Sequence, residues 1–149
     1  MQKIDSHIQY APSDLVKFME SSFVSWMDRF ALEYPEKAPE KDKRSELIDA
    51  LAQKGLENEQ KLITQFEAQG LAVRKIVDEH FSNQCKSTLQ AMQDGVDVIA
   101  QAALTLDNLA GHCDFLVKQP GSSQFGDYEY VVWESKLSTQ IKPTFVIQL

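Results

Sequence analysis

The chain has 149 residues, 43% apolar and 25% charged, enough to bury a core of its own as one domain without a disulfide framework. Its cysteines, Cys85 and Cys113, stand far apart and outside any CxxC pair, which excludes a zinc finger and points to a reducing, cytoplasmic setting. A net charge of −7 weighs against a simple nucleic-acid-binding module with a basic face, but not against a metal-dependent nuclease, whose own site must be acidic.

Asp5, Asp14 and Glu20 interrupt the first twenty residues, so no signal-peptide h-region is present, and no later stretch approaches the ~20 apolar residues of a membrane span. Ser13, after Pro12, reads as an N-cap. Leu15, Phe18, Met19, Phe23, Trp26, Met27 and Phe30 recur at helical spacing and predict one amphipathic helix to Tyr34-Pro35. The charged stretch from Glu36 to Arg44 reads as a solvated loop, with Lys41 to Arg44 able to meet a phosphate backbone. A second helix is predicted from Ser45 to Gln69, with Leu47, Leu51, Leu56, Leu62, Ile63 and Phe66 on its inner side. Gly55 within it implies a break or a close approach by something else.

Gly70 stops that helix, and Leu71 to Val77 reads as a short strand. Ser87 to Met92 reads as a short helix or turn, and Asp94-Gly95 as a turn into the apolar run Val96 to Leu104. Asp107-Asn108 turns the chain back into Leu109 to Val117; a Gly-, Ser- and Gln-rich loop then leads to a strand from Tyr128 to Lys136. The reading is a mixed α/β domain: helices over residues 13–69, then a sheet core over 71–149. Pro143 opens a last helix that stops while still apolar, the pattern of a chain truncated at its C-terminal end.

Chemistry concentrates at the ends of the last two strands. Asp114 closes the run Gly111-His112-Cys113-Asp114, and Glu134-Ser135-Lys136 closes the run Tyr130 to Trp133. In a strand Glu134 and Lys136 share a face, and if the runs pair, Asp114 joins them. Mg²⁺ takes one or two carboxylates at about 2.1 Å and fills its octahedron with water and substrate phosphate. Asp114 and Glu134 supply those carboxylates, and the Ser135 carbonyl a third oxygen. Lys136 would orient or deprotonate the attacking water and offset charge on phosphorus, and it relieves the mutual repulsion of the two acids. The plainer alternative is a Glu134–Lys136 ion pair at a sheet edge. His112, two residues before Asp114, reads as the rim of the site or a satisfied surface histidine. Cys113 reads as a core residue, and Trp26 and Trp133 as core or interface aromatics.

The runs Ser13-Asp14-Leu15, Lys54 to Glu59, Gly111 to Leu116, Trp133 to Leu137 and Lys142 to Leu149 occur in the order of the motifs of RecB-like nucleases. Nearly the whole chain thus resembles that family of the PD-(D/E)XK superfamily. The nearest branch is similar to CRISPR-associated RecB-like exonucleases, found at the N-terminus of larger nuclease or helicase–nuclease proteins. The resemblance implies a restriction-endonuclease-like central mixed sheet with flanking helices, Mg²⁺ or Mn²⁺ as cofactor, and DNA as substrate. It also implies a C-terminal helicase or nuclease portion as partner.

Carried onto this sequence, it implies metal ligation by Asp114 and Glu134, catalysis by Lys136, and a further site residue from the helix at Gly55 to Glu59. Asn58 stands where the family often has a ligating histidine, a departure for which Glu59 or Glu57 compensates. Gln148 begins a motif normally completed by a tyrosine four residues on, beyond the end of this chain. Some relatives hold an iron–sulfur cluster, but Glu20-Ser21-Ser22 lacks the corresponding cysteine, and two cysteines fall short of the roughly four thiolates a cluster needs. The expected activity is a metal-dependent deoxyribonuclease. The alternatives are a degenerate, non-catalytic nuclease-like domain that binds nucleic acid or a partner domain, and an interaction domain whose Glu134–Lys136 pair is structural.

Overall fold

The computed structural model describes residues 1–4, 7–40, 45–138, 140 and 142–147. Gln148 and the basic run Lys41 to Arg44 lie outside the described residues. The chain divides into two compact units, residues 46–104 with 112–138, and residues 1–45 with 105–111 and 139–149. None of the described helices is long and apolar enough to cross a membrane.

In the second of these, strands β1 (Gln2–Ile4) and β2 (His7–Gln9) pair antiparallel, Lys3 opposite Ile8. Tyr10 then bridges Leu109, donating its N–H to the Asn108 carbonyl and accepting from Ala110 N–H. The single helix predicted to Tyr34 is two, α1 (Pro12–Glu20) and α2 (Ser22–Glu33). Ser21 sits between them in extended conformation and caps α2 by accepting from Val24 N–H. At the start of α1 the cap is not Ser13. Ala11 holds the N-cap position, and the buried Asp14 carboxylate reaches back to its N–H at 2.8 Å and pairs with the N-terminal ammonium. Pro12 at the first helical position removes a donor that would lack a partner anyway. The apolar stripe expected to be buried stays largely in solvent: Phe18 is 56% exposed, Phe23 67% and Trp26 56%. On α2, Phe23, Trp26, Phe30 and Tyr34 stack along one face with centroids 5.3–6.2 Å apart. Helix α5 (Pro143–Ile147) closes this unit, with proline at its start as expected.

The other unit is a mixed α/β layer structure. Helix α3 (Glu46–Ala68) runs through Gly55 unbroken, and nothing lies within 4 Å of where a Cβ would stand there, so neither the break nor the close approach occurs. Its sheet-facing stripe is Gly55, Asn58, Glu59, Leu62, Ile63 and Phe66, at helical spacing and all at least half-buried. Leu47, Leu51 and Leu56, expected inside, are exposed. Strand β3 (Val73–Lys75) pairs parallel with β4 (Val98–Leu106). Helix α4 (Phe81–Gln93) makes the crossover; it is twice as long as the Ser87–Met92 segment expected, because its first turns are polar. Strand β5 (Leu109–Ser123) extends through the expected loop and pairs antiparallel with β6 (Gly126–Trp133). The sheet order is β3-β4-β5-β6.

One core cluster packs Ile63 and Phe66 of α3 on Val98, Ala100 and Phe115; another packs Ala91 of α4 on Ile99, Ala102, Cys113 and Leu116. The sheet therefore lies between α3 and α4. These memberships break the two-residue alternation of a regular strand in both β4 and β5. In β4 the break is at Gln101, whose φ is 55°, a left-handed conformation uncommon outside glycine. Past it, the Ala103 N–H bonds to the buried Thr88 hydroxyl of α4 at 3.0 Å.

Candidate metal centre

Register brings the acids together. The antiparallel pairing of β5 and β6 sets Phe115 opposite Trp133, so one step further Asp114, inside β5 rather than at the end of a strand as expected, lies beside Glu134, which follows the end of β6. Strand β6 ends at Trp133, and Glu134-Ser135-Lys136 follows as irregular backbone rather than as the strand expected. Asp114 ties that segment down: its Oδ2 accepts the Ser135 N–H at 2.6 Å. Lys136 Nζ lies 3.0 Å from Glu134 Oε2, the two side chains 29% and 13% exposed.

Glu59 approaches from α3. Its Oε2 accepts from Gln101 Nε2 at 2.6 Å, across 42 residues of sequence. Burial raises its carboxyl above the ordinary value first, and the Asp114 carboxylate next. Gln101 and Lys75 pull the other way, and Glu134 adds to the rise. Glu59 on α3 thus feels Asp114 of β5 and Glu134 of the segment after β6.

Not every candidate reaches this cluster. Glu57, two residues from Glu59, points to the opposite side of α3, where it is exposed and accepts from Gln53 at 3.3 Å. Asn58 is half-buried on the sheet-facing stripe. Of the two readings of His112, the structure fits the satisfied surface histidine rather than the rim of the site. The His112 Nε2 lies 2.6 Å from Gln84 Oε1 and its ring stands edge-on to Phe81, both on α4. Cys113 is buried as expected, and burial, with Glu134 and Asp114 nearby, pushes its thiol up to about 12. Trp133 is half exposed, its ring 6.1 Å from Phe66.

The donor set is hard oxygen throughout, which suits Mg²⁺ or Mn²⁺ rather than zinc or copper. Among the described residues, no three His, Cys, Asp or Glu side chains converge closely enough to hold one ion as they stand. Each carboxylate has one oxygen engaged: Glu59 with Gln101, Asp114 with Ser135, Glu134 with Lys136. Each keeps further lone pairs, and Mg²⁺ asks for one or two carboxylates plus water. Gln101 is the residue that reading the sequence missed. Comparison with protein-family models, with curated proteins and with solved structures gave no match.

Proposed function

We propose that this chain is a Mg²⁺- or Mn²⁺-dependent deoxyribonuclease of restriction-endonuclease-like fold, working in the cytoplasm and hydrolysing phosphodiester bonds in DNA. The observation that carries this reading is the β5–β6 register, which sets Asp114 of β5 and Glu134 just past β6 beside Lys136, with Glu59 within electrostatic reach of both acids. Uncompensated, mutually repelling carboxylates are costly unless a cation joins them. A divalent ion there would supply the charge that makes a water nucleophilic at neutral pH and offsets charge on phosphorus.

Each side chain then has a task. Asp114 and Glu134 hold the ion, Glu59 and the Ser135 carbonyl complete its inner or outer shell, and Asn58 offers a neutral oxygen from the same face of α3. Lys136, 3.0 Å from Glu134, would hold the attacking water and steady the phosphate oxygens. DNA is proposed as the substrate class on the resemblance to RecB-like nucleases, and the ion rather than a basic protein face would meet its phosphate.

The test is cleavage of single- and double-stranded DNA with and without Mn²⁺. Lys136→Ala should lower the metal-dependent rate by at least ~100-fold with unchanged circular dichroism. Equal rates in variant and parent would remove the assignment. The Lys136–Glu134 contact of 3.0 Å supports a second reading, a non-catalytic relative in which this pair is structural. Calorimetric titration with Mn²⁺ separates the two: a catalytic centre takes up the ion stoichiometrically, and a degenerate one does not.

A further inference from the structure

We propose that the cleft between the β1–β2 pair and α2 binds a small phosphorylated ligand of nucleotide size, a phosphate carried on a sugar and a planar ring. The inference does not depend on the metal-binding reading. The cleft lies wholly within the unit that holds none of Glu59, Asp114, Glu134 and Lys136.

The cleft encloses about 570 Å³, inside the range of small-molecule sites, roughly 300–1,000 Å³. Its charge runs against that of the chain. In a molecule of net charge −7, Lys3 of β1 and Arg29 of α2 line this concavity against a single carboxylate, Glu33. His7 of β2 lines the same wall as a further basic group. A concave surface whose sign opposes the net charge gathers anions.

Arg29 is already oriented for one. Its Nε donates to Glu33 Oε1 at 2.7 Å, and its Nη1 donates to the Tyr10 hydroxyl at 2.7 Å. These bonds hold the planar guanidinium while engaging only part of its fork. Because the Tyr10 oxygen accepts, its own hydrogen is left to donate. A phosphate suits this donor set. It carries about two negative charges near neutral pH and accepts from several donors at once, and guanidinium meets it by paired bonds.

A bare phosphate would fill only a small part of the volume. Tyr10 and Tyr34 supply aromatic surface on which a planar ring can lie. The second oxygen of Glu33 is left to accept from a sugar hydroxyl. Phosphate, hydroxyls and ring together have the chemistry of a nucleoside monophosphate.

The test is calorimetric titration of the full chain with adenosine 5′-monophosphate in chelator, beside adenosine and inorganic phosphate. We expect the nucleotide to bind, and each fragment to bind at least about 10-fold more weakly. Arg29→Gln should weaken nucleotide binding about 10–100-fold and Lys3→Gln about 10-fold, through lost charge-assisted bonds. Both side chains are exposed, so both variants should melt within a few degrees of the parent, and Lys3→Gln serves if Arg29→Gln fails to fold. A parent that takes up no nucleotide overturns the proposal, as does equal affinity in parent and variants. Adenosine binding as tightly as the nucleotide overturns the role of the basic residues, and inorganic phosphate binding as tightly overturns the nucleotide assignment.

Discussion

The sheet unit sets a lysine beside a carboxylate twice, with opposite results. Lys118 lies 2.8 Å from Asp97, donates to the Gly95 carbonyl at 2.6 Å, and Asp97 also accepts the Ala72 N–H at 3.0 Å. Lys118, and then the Ala72 amide, hold the Asp97 carboxyl below its ordinary value. Tyr130, bonded to the Val96 carbonyl at 2.6 Å, adds a further tie there. Every charge in this clasp is answered, and its work is to join β3, β5 and the turn after α4. Lys136 pairs with Glu134, while Glu59, under burial and the influence of Asp114, Lys75 and Glu134, is pushed up rather than down. A carboxylate–lysine contact is thus ambiguous by itself. The residual charge around it separates a brace from a binding site.

The largest expected effect comes from exchanging the two aspartates' fates. Asp114→Ala should remove Mn²⁺-dependent DNA cleavage by at least ~100-fold. Asp97→Ala should leave cleavage within about twofold and lower stability by about 1 kcal/mol, since water takes over only part of its lost bonds. Measured rates and urea unfolding decide it, and crossed results would break the comparison.

Next in size is the dependence of stability on pH, recorded in chelator. Glu59 holds its proton more tightly folded than unfolded. Its contribution is fully present below the unfolded value of about 4.3 and is lost as pH rises through the raised folded value. Asp97 behaves oppositely: its contribution is present above about 3.9 and is lost as pH falls through the lowered folded value. Glu59→Gln should therefore gain stability over the parent as pH rises from 4 to 8, whereas the deficit of Asp97→Asn should shrink in acid. Melting curves across that range would show both. The smallest effect belongs to Arg74–Asp94, 2.7 Å apart but 45% and 40% exposed: Arg74→Ala should leave the urea midpoint almost unchanged.

What was legible in the sequence follows from how local each signal is. Asp114 and Glu134-Ser135-Lys136 stand out because charges interrupt apolar runs, and the β5–β6 pairing sets them side by side, although Asp114 lies inside its strand and Glu134 to Lys136 outside theirs. The hairpin turn at Asp107-Asn108 and the stop at Gly70 carry their own backbone chemistry, and both are turns in the structure. The helix break at Ser21 was hidden because the apolar spacing continues across it. The β1–β2 pair was hidden because Gln2, Lys3, His7 and Gln9 show no alternation of apolar residues. Assigning Leu47, Leu51 and Leu56 to the inner side failed because Gly55, Asn58 and Glu59 occupy that side instead. A polar face turned toward a sheet is invisible to hydrophobic periodicity. Gln101 was unreadable for the same kind of reason: Ile99-Ala100-Gln101-Ala102 reads as ordinary strand, and no residue there announces positive φ.

The bond from Ala103 to Thr88 has a bearing on how the unit opens. A strand amide normally exchanges its hydrogen when its neighbouring strand peels away. This one is latched to a helix hydroxyl, so its hydrogen is released only when α4 lifts from the sheet. Sheet centre and helix then form a single opening unit, and the strand that carries Gln101 keeps its kink for as long as that helix stays docked.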